Sequence, residues 1–85
     1  MSALQGPLQF STVAPWFAQA DALAADEVVD LAAVTHCDSA GAALLLELQR
    51  RARAKGRSLR FVNAPAQLRD LVNFFGAGPV LGLAA

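Results

Sequence analysis

Between residues 27 and 62 the hydrophobic period of the chain changes twice. Glu27 to Leu31 (Glu-Val-Val-Asp-Leu) is short and β-branched, which reads as a strand. Residues 39 to 55 then carry apolar side chains at helical spacing. Leu59 to Val62 (Leu-Arg-Phe-Val) returns to a strand. Val34 to Cys37, ahead of the helix, reads as a turn or strand end. Asp38 or Ser39 can cap the helix, and Gly56 can end it in the left-handed conformation. Strand, helix and strand in this order leave few folds open, because parallel strands need a crossover between them.

The flanks extend the alternation. Residues 3 to 6 form the end of a short strand, which Gly6-Pro7 breaks. A helix follows from Ser11 or Thr12, with either hydroxyl as its cap and Pro15 in or near the first turn. Val13, Phe17, Ala20 and Ala24 recur at helical spacing there, with Trp16 beside them. Asn63-Ala64-Pro65 caps and starts a last helix, in which Leu68, Leu71, Val72 and Phe75 stand at i, i+3, i+4 and i+7 and which Gly76 closes. The expected fold is a small α/β domain spanning residues 1–85. It has a mixed, mostly parallel sheet, about three helices packed on it, and a shortened N-terminal strand. Alanine (19 residues) and leucine (13) favour the helices. A chain of 85 residues covers its core thinly, so apolar surface is left for a partner.

On a helical wheel, Gly41, Leu44, Leu45, Leu48 and Ala52 of the central helix share the core stripe. Ser39, Ala43, Leu46 and Arg50 stand opposite, flanked by Ala42 and Arg53. A solvated face is ordinarily charged. Here the first two turns are small and apolar, which points to an interface, although single exposed leucines are common. Ser39 sits at the helix start, where a hydroxyl caps and where a phosphoryl group would add negative charge beside Asp38.

Seven acids and seven bases cancel, but six acids fall in residues 1–49 and all seven bases in residues 50–85. That asymmetry could steer a partner of opposite pattern. The bases Arg50, Arg51, Arg53, Lys55 and Arg57 suit the negative end of a helix dipole. With zero net charge and no aromatics interleaved among them, they argue against nucleic acid. One cysteine, Cys37, excludes an internal disulfide, and one His with one Cys is too few for a zinc site. No phosphate-binding glycine loop is present, so no nucleotide hydrolysis, cofactor or metal is expected. His36, Cys37 and Asp38 are consecutive and cannot converge as a nucleophile set. The N-terminus lacks a signal-peptide pattern and no stretch reaches the length of a membrane span, so a cytoplasmic, non-inserted protein is expected.

Val29-Asp30-Leu31, Val34, Cys37-Asp38-Ser39-Ala40-Gly41 and Ala43-Leu44-Leu45-Leu46 together resemble the signature of the STAS domain, in which a strand ending in Asp-Leu leads through Asp-Ser/Thr-x-Gly into an apolar helix. Arg51 to Arg57 and Leu59 to Asn63 are similar to its next helix end and strand. The resemblance covers about residues 27 to 75 and, more loosely, Leu4 to Ala24. It implies a non-enzymatic binding module. In one branch, anti-sigma factor antagonists are phosphorylated by an anti-sigma factor kinase on the serine corresponding to Ser39. The other branch resembles MlaB, whose hydroxyl residue and helix dock on the ATPase subunit of a phospholipid ABC transporter at the inner membrane that maintains outer-membrane lipid asymmetry. The Ala- and Leu-rich helix and the Asn-Ala-Pro segment favour the second branch.

The resemblance implies partner binding by Asp38, Ser39, Ala42, Ala43, Leu46 and Arg50, with Ser39 a phosphorylation site in the first branch. A full STAS domain begins with an extra strand, so this shorter start leaves a sheet edge open to pairing, either in a homodimer or with the transporter completing the fold.

Overall fold

Three parallel strands, in the order β1-β2-β3, make the sheet of the computed structural model, which describes residues 1–82. β1 is Ser2–Leu8, β2 is Val28–Cys37 and β3 is Arg60–Val62. The helices are α1 (Ala14–Ala18), α2 (Ala20–Ala24), α3 (Ser39–Ala54), α4 (Ala66–Phe74) and α5 (Gly78–Leu81). The domain is thus α/β as expected, and its described strands are all parallel.

β2 is one strand of ten residues, not a strand followed by a turn. Its buried positions are Val29, Leu31, Val34 and Cys37, so a step of two is followed by two steps of three. The register against β1 accounts for this. Ala3 and Gln5 pair with Asp30 and Ala33, and Gly6 and Pro7 pair with Val34 and His36, so β2 carries an extra residue at each place. Such bulges let three-residue steps keep the same face inward. The apolar spacing that conceals the strand in the sequence is a period of two with two insertions.

β1 also outruns its expected end, because Gly6 takes φ +73 and carries the chain through Gly6-Pro7. Leu4 and Leu8 face inward beside the buried residues of β2 and Phe61 of β3, while Ala3, Gln5, Pro7, Ala32, Ala33, Thr35 and His36 lie exposed. Both crossovers step in the same direction, so right-handed connections place their helices on one face of the sheet.

The first helical segment is interrupted at Gln19 (φ −103°, ψ 10°), which splits the expected helix into α1 and α2. Neither Ser11 nor Thr12 caps it. Val13 is the N-cap, and the Thr12 hydroxyl instead donates to the Pro7 carbonyl at 2.7 Å. α3 runs Ser39–Ala54, with its expected stripe of Gly41, Leu44, Leu45, Leu48 and Ala52 buried. The sheet-and-helix core is built on Leu44, Leu45 and Leu48, all fully inaccessible.

Asn63 does not cap α4. Its backbone has φ 59° and its side chain donates to Asp30 Oδ1 at 3.1 Å, while Pro65 takes the N-cap position without a side-chain bond. Leu68 and Val72 are buried as expected, but Phe75 is half exposed because α4 ends at Phe74 and Gly76 (φ +71) turns the chain away. Ala77 and Leu81 take the core places beyond it.

The two halves of the charge pattern fold back on each other. Arg51 bridges Glu47 at 2.7 Å and Asp21 at 2.9 Å, and Arg57 donates to the carbonyls of Ala24, Ala25 and Asp26 at the end of α2. The separation seen along the sequence is therefore not a separation into acidic and basic faces.

Two glutamines finish strand edges. Gln49, 2% exposed on α3, donates from Nε2 to Leu59 O at 3.0 Å and accepts from Leu59 N at 2.7 Å. Gln67 on α4 treats Cys37 the same way, at 2.7 Å to its carbonyl and 3.0 Å from its N–H. Each primary amide supplies the donor and acceptor that a neighbouring strand would have supplied.

Candidate functional site

Asp38 decides the geometry at the start of α3. Its extended backbone (φ −114°, ψ −169°) makes it the N-cap, and its Oδ1 accepts from Ala40 N at 2.9 Å and Gly41 N at 3.4 Å. Its other oxygen accepts from Phe10 N at 3.1 Å, and its own N–H donates to Leu8 O at 3.1 Å. One carboxylate thus ties the loop after β1 to the helix start. The Phe10 N–H above all, then those of Ala40 and Gly41 and the charge of nearby His36, hold the Asp38 carboxyl below its ordinary range, against partial desolvation.

Gly41 fixes how close α3 comes to the sheet. A Cβ there would stand 2.6 Å from Cys37 Sγ and 2.8 Å from Leu8 Cβ, and closer still to the Leu8 carbonyl oxygen. The small residue of the Asp-Ser-Ala-Gly motif is a packing requirement. Cys37 itself is buried, its Sγ donating to Asp38 O at 3.3 Å. Burial and the Asp38 charge push its thiol up to about 11, which suits an inert core residue and not a nucleophile. His36, one residue earlier, is exposed on the other face. Among the described residues no three His, Cys, Asp or Glu side chains group to hold a metal ion.

With Asp38 as the cap, the Ser39 hydroxyl is left free. It is exposed in the first turn and makes no hydrogen bond among the described residues. Ala43 and Leu46 (36% exposed) follow it along the outer face, and Arg50 continues the line. The Arg50 guanidinium is clamped on Glu47, Nε to Oε1 and Nη2 to Oε2, both at 2.7 Å. Its charge is paired, and its flat outer side remains open. Those two bonds, with a third from Arg51, hold Glu47 down to about 2.

Ala42 does not belong to this surface. It is 4% exposed and packs into the core. Ala42 and Gln49 are seven residues apart and nearly eclipse each other on the helix. Gln49 on that flank is covered by Leu59, whereas Arg53, a turn further on, is exposed and donates to the Val80 carbonyl of α5. The buried arc is wider than one stripe.

Phe10 is the residue that sequence reasoning missed. Its side chain is 86% exposed, and its N–H bond to Asp38 sets it beside Ser39. An aromatic between a strand and a helix cap was the available signal. The site therefore joins Phe10, Ser39, Ala43, Leu46 and Arg50 around a rigid corner held by Asp38. It offers an apolar contact strip with one free hydroxyl.

A three-stranded α/β layer that presents a capped helix start with a free serine defines a binding module of the STAS class. A family model described as "Mlab, STAS domain" matches residues 3–82, and the chain belongs to that family. The family is one of regulatory and binding domains and is generally non-enzymatic. No curated protein matches the chain closely enough to count as a relative. Among the described residues no helix is long and apolar enough to cross a membrane.

Proposed function

We propose that the protein is a non-catalytic STAS subunit that binds the cytoplasmic ATPase of an Mla-type phospholipid ABC transporter and regulates or stabilises it. That assembly sits at the inner membrane and maintains outer-membrane lipid asymmetry. The observation that carries the reading is the division of labour at the helix start. Asp38 does the capping, so Ser39 is free of structural duty and heads an exposed apolar strip of Ala43 and Leu46. Membership of the MlaB-type family supports the choice of partner. Phe10 and the outer side of Arg50 complete the contact.

Ser39→Arg tests this. The fold is expected to survive, because the hydroxyl holds nothing, while pull-down of the ATPase is lost. Unchanged pull-down removes the site assignment. The free, exposed hydroxyl also favours a second reading, an anti-sigma factor antagonist phosphorylated at Ser39. A phosphoryl group there meets a favourable helix dipole and an unfavourable Asp38 carboxylate. Intact mass after incubation with the anti-sigma factor kinase separates the two, since only the second reading expects an adduct.

The free edge of β1 supports a homodimer within the first reading, because among the described residues β1 pairs with β2 alone and has no charged residue to blunt its outer side. Sedimentation velocity checks it, and a single monomeric species at high concentration counts against it.

A further inference from the structure

The opposite end of the molecule from Ser39 collects a second set of exposed side chains. α3 ends there, and the Arg53 Nη2 donates to Val80 O of α5 at 3.2 Å. Phe74 and Phe75 close α4 just before α5, 84% and 51% exposed, their rings edge to face at 5.6 Å. Val80 is 42% exposed. The N-terminus arrives at the same end, since its ammonium lies 3.3 Å from Asp26 Oδ1, and Met1 is 81% exposed. Of the six large hydrophobics exposed among the described residues, these four gather at one pole.

Basic residues line grooves at this end, one of which includes Val80. Two adjoining grooves open at this pole and share Ser58 and Arg60. The larger, about 470 Å³, is lined by Glu27, Val28, Arg57, Ser58 and Arg60. The smaller, about 160 Å³, adds Arg53, Phe61 and Val80. The helix dipole gives a reason for Arg51 and Arg53 in the last turn of α3. It gives none for Arg60, which begins β3 with its side chain exposed. On the acidic side, Asp26 is already occupied by the Ser2 hydroxyl at 2.7 Å and by the N-terminus, which leaves Glu27 as the free carboxylate of the groove.

We infer that this pole is a docking surface for an anionic lipid bilayer, with Phe74, Phe75 and Val80 entering the interface and Arg53, Arg60 and Ser58 receiving lipid phosphate. Exposed aromatic rings at the end of α4, with cations around Val80 of the following α5, fit a surface that is apolar below and negative at its headgroups. A protein partner with an acidic rim would match the charges and the rings as well, and absence of flotation is the outcome that points to it. The contact is superficial, in keeping with the lack of a membrane-length helix among the described residues. It does not depend on the partner assigned to Ser39.

Flotation of the full chain with vesicles of phosphatidylcholine, with and without phosphatidylglycerol, tests the inference. Binding is expected only with phosphatidylglycerol and is expected to weaken as salt rises. Phe74→Ser with Phe75→Ser, and separately Arg53→Glu with Arg60→Glu, each lower it by at least about tenfold. All four side chains are exposed, and unchanged circular dichroism verifies the fold. Ser39→Arg floats like the parent chain. Equal flotation with neutral vesicles, no flotation at all, or variants that float normally each overturn the inference. So does a response of the Ser58 and Arg60 amide signals to glycerol 1-phosphate without vesicle binding, which makes the groove a site for a soluble anion.

Discussion

Asp38 has two duties, and they separate experimentally. Asp38→Ala removes the cap and frees the Phe10 loop, so the thermal midpoint falls by several degrees. The folded carboxyl is held below its ordinary range, so its stabilisation is fully present above about pH 4 and lost as pH falls through the lowered folded value. The gap between parent and variant midpoints is thus constant near neutrality and closes in acid, which thermal scans across pH check directly. A gap that widens in acid contradicts the role. Gly41 gives a harsher prediction. Gly41→Ala drives a methyl onto the Leu8 carbonyl and the Cys37 sulfur, and it is expected to cost about 3 kcal/mol in denaturant melts. Sequence alone leaves Asp38 and Ser39 equal as caps, since both side chains accept hydrogen bonds. What separates them is tertiary: the Phe10 N–H arrives from a loop 28 positions away. The same reach explains why Phe10 escapes a reading built on local pattern.

At the scale of elements, the glutamines are the devices to test. Gln49→Leu keeps the volume but strands the buried N–H and C=O of Leu59, so it is expected to cost about 3 kcal/mol by chemical denaturation. Because Leu59 leads into β3, protection of the β3 amides against hydrogen exchange falls with it. An unchanged denaturation midpoint means that water satisfies Leu59 and that Gln49 does not finish the edge. These roles also mark where pattern reading stops. The stripe of α3 from Gly41 to Ala52 was legible, because helical period and burial agree there. The inner flank of Ala42 and Gln49 was not, because the segment leading into β3 covers Gln49 and a wheel counts only one helix. The strand–helix–strand order was legible, and the length of β2 was not. Its bulges turn a two-residue period into Leu31-x-x-Val34-x-x-Cys37, which imitates helical or irregular spacing. α4 shows the opposite error, since Phe75 has the right spacing for the core but lies past the helix end that Gly76 enforces.

For the whole molecule, the length of α3 is the governing dimension. Sixteen residues at about 1.5 Å each make α3 roughly 24 Å long, with Ser39 at one end and Arg53 near the other, in a body of 29 × 27 × 19 Å. The two candidate surfaces therefore lie at opposite ends of one rigid rod, joined by a core of Leu44, Leu45 and Leu48 that leaves little room for independent movement. Contacts this far apart and without shared residues act additively. If both assignments hold, the protein bridges its ATPase partner to an anionic bilayer, and neither contact weakens the other. A flotation assay with both present reads this in one experiment. The parent chain carries the ATPase up with phosphatidylglycerol vesicles. Ser39→Arg floats alone, while Phe74→Ser with Phe75→Ser holds the ATPase but stays in the load. Competition between ATPase and vesicles for the parent chain contradicts the separation, because two ligands at the ends of α3 have no common surface to contest.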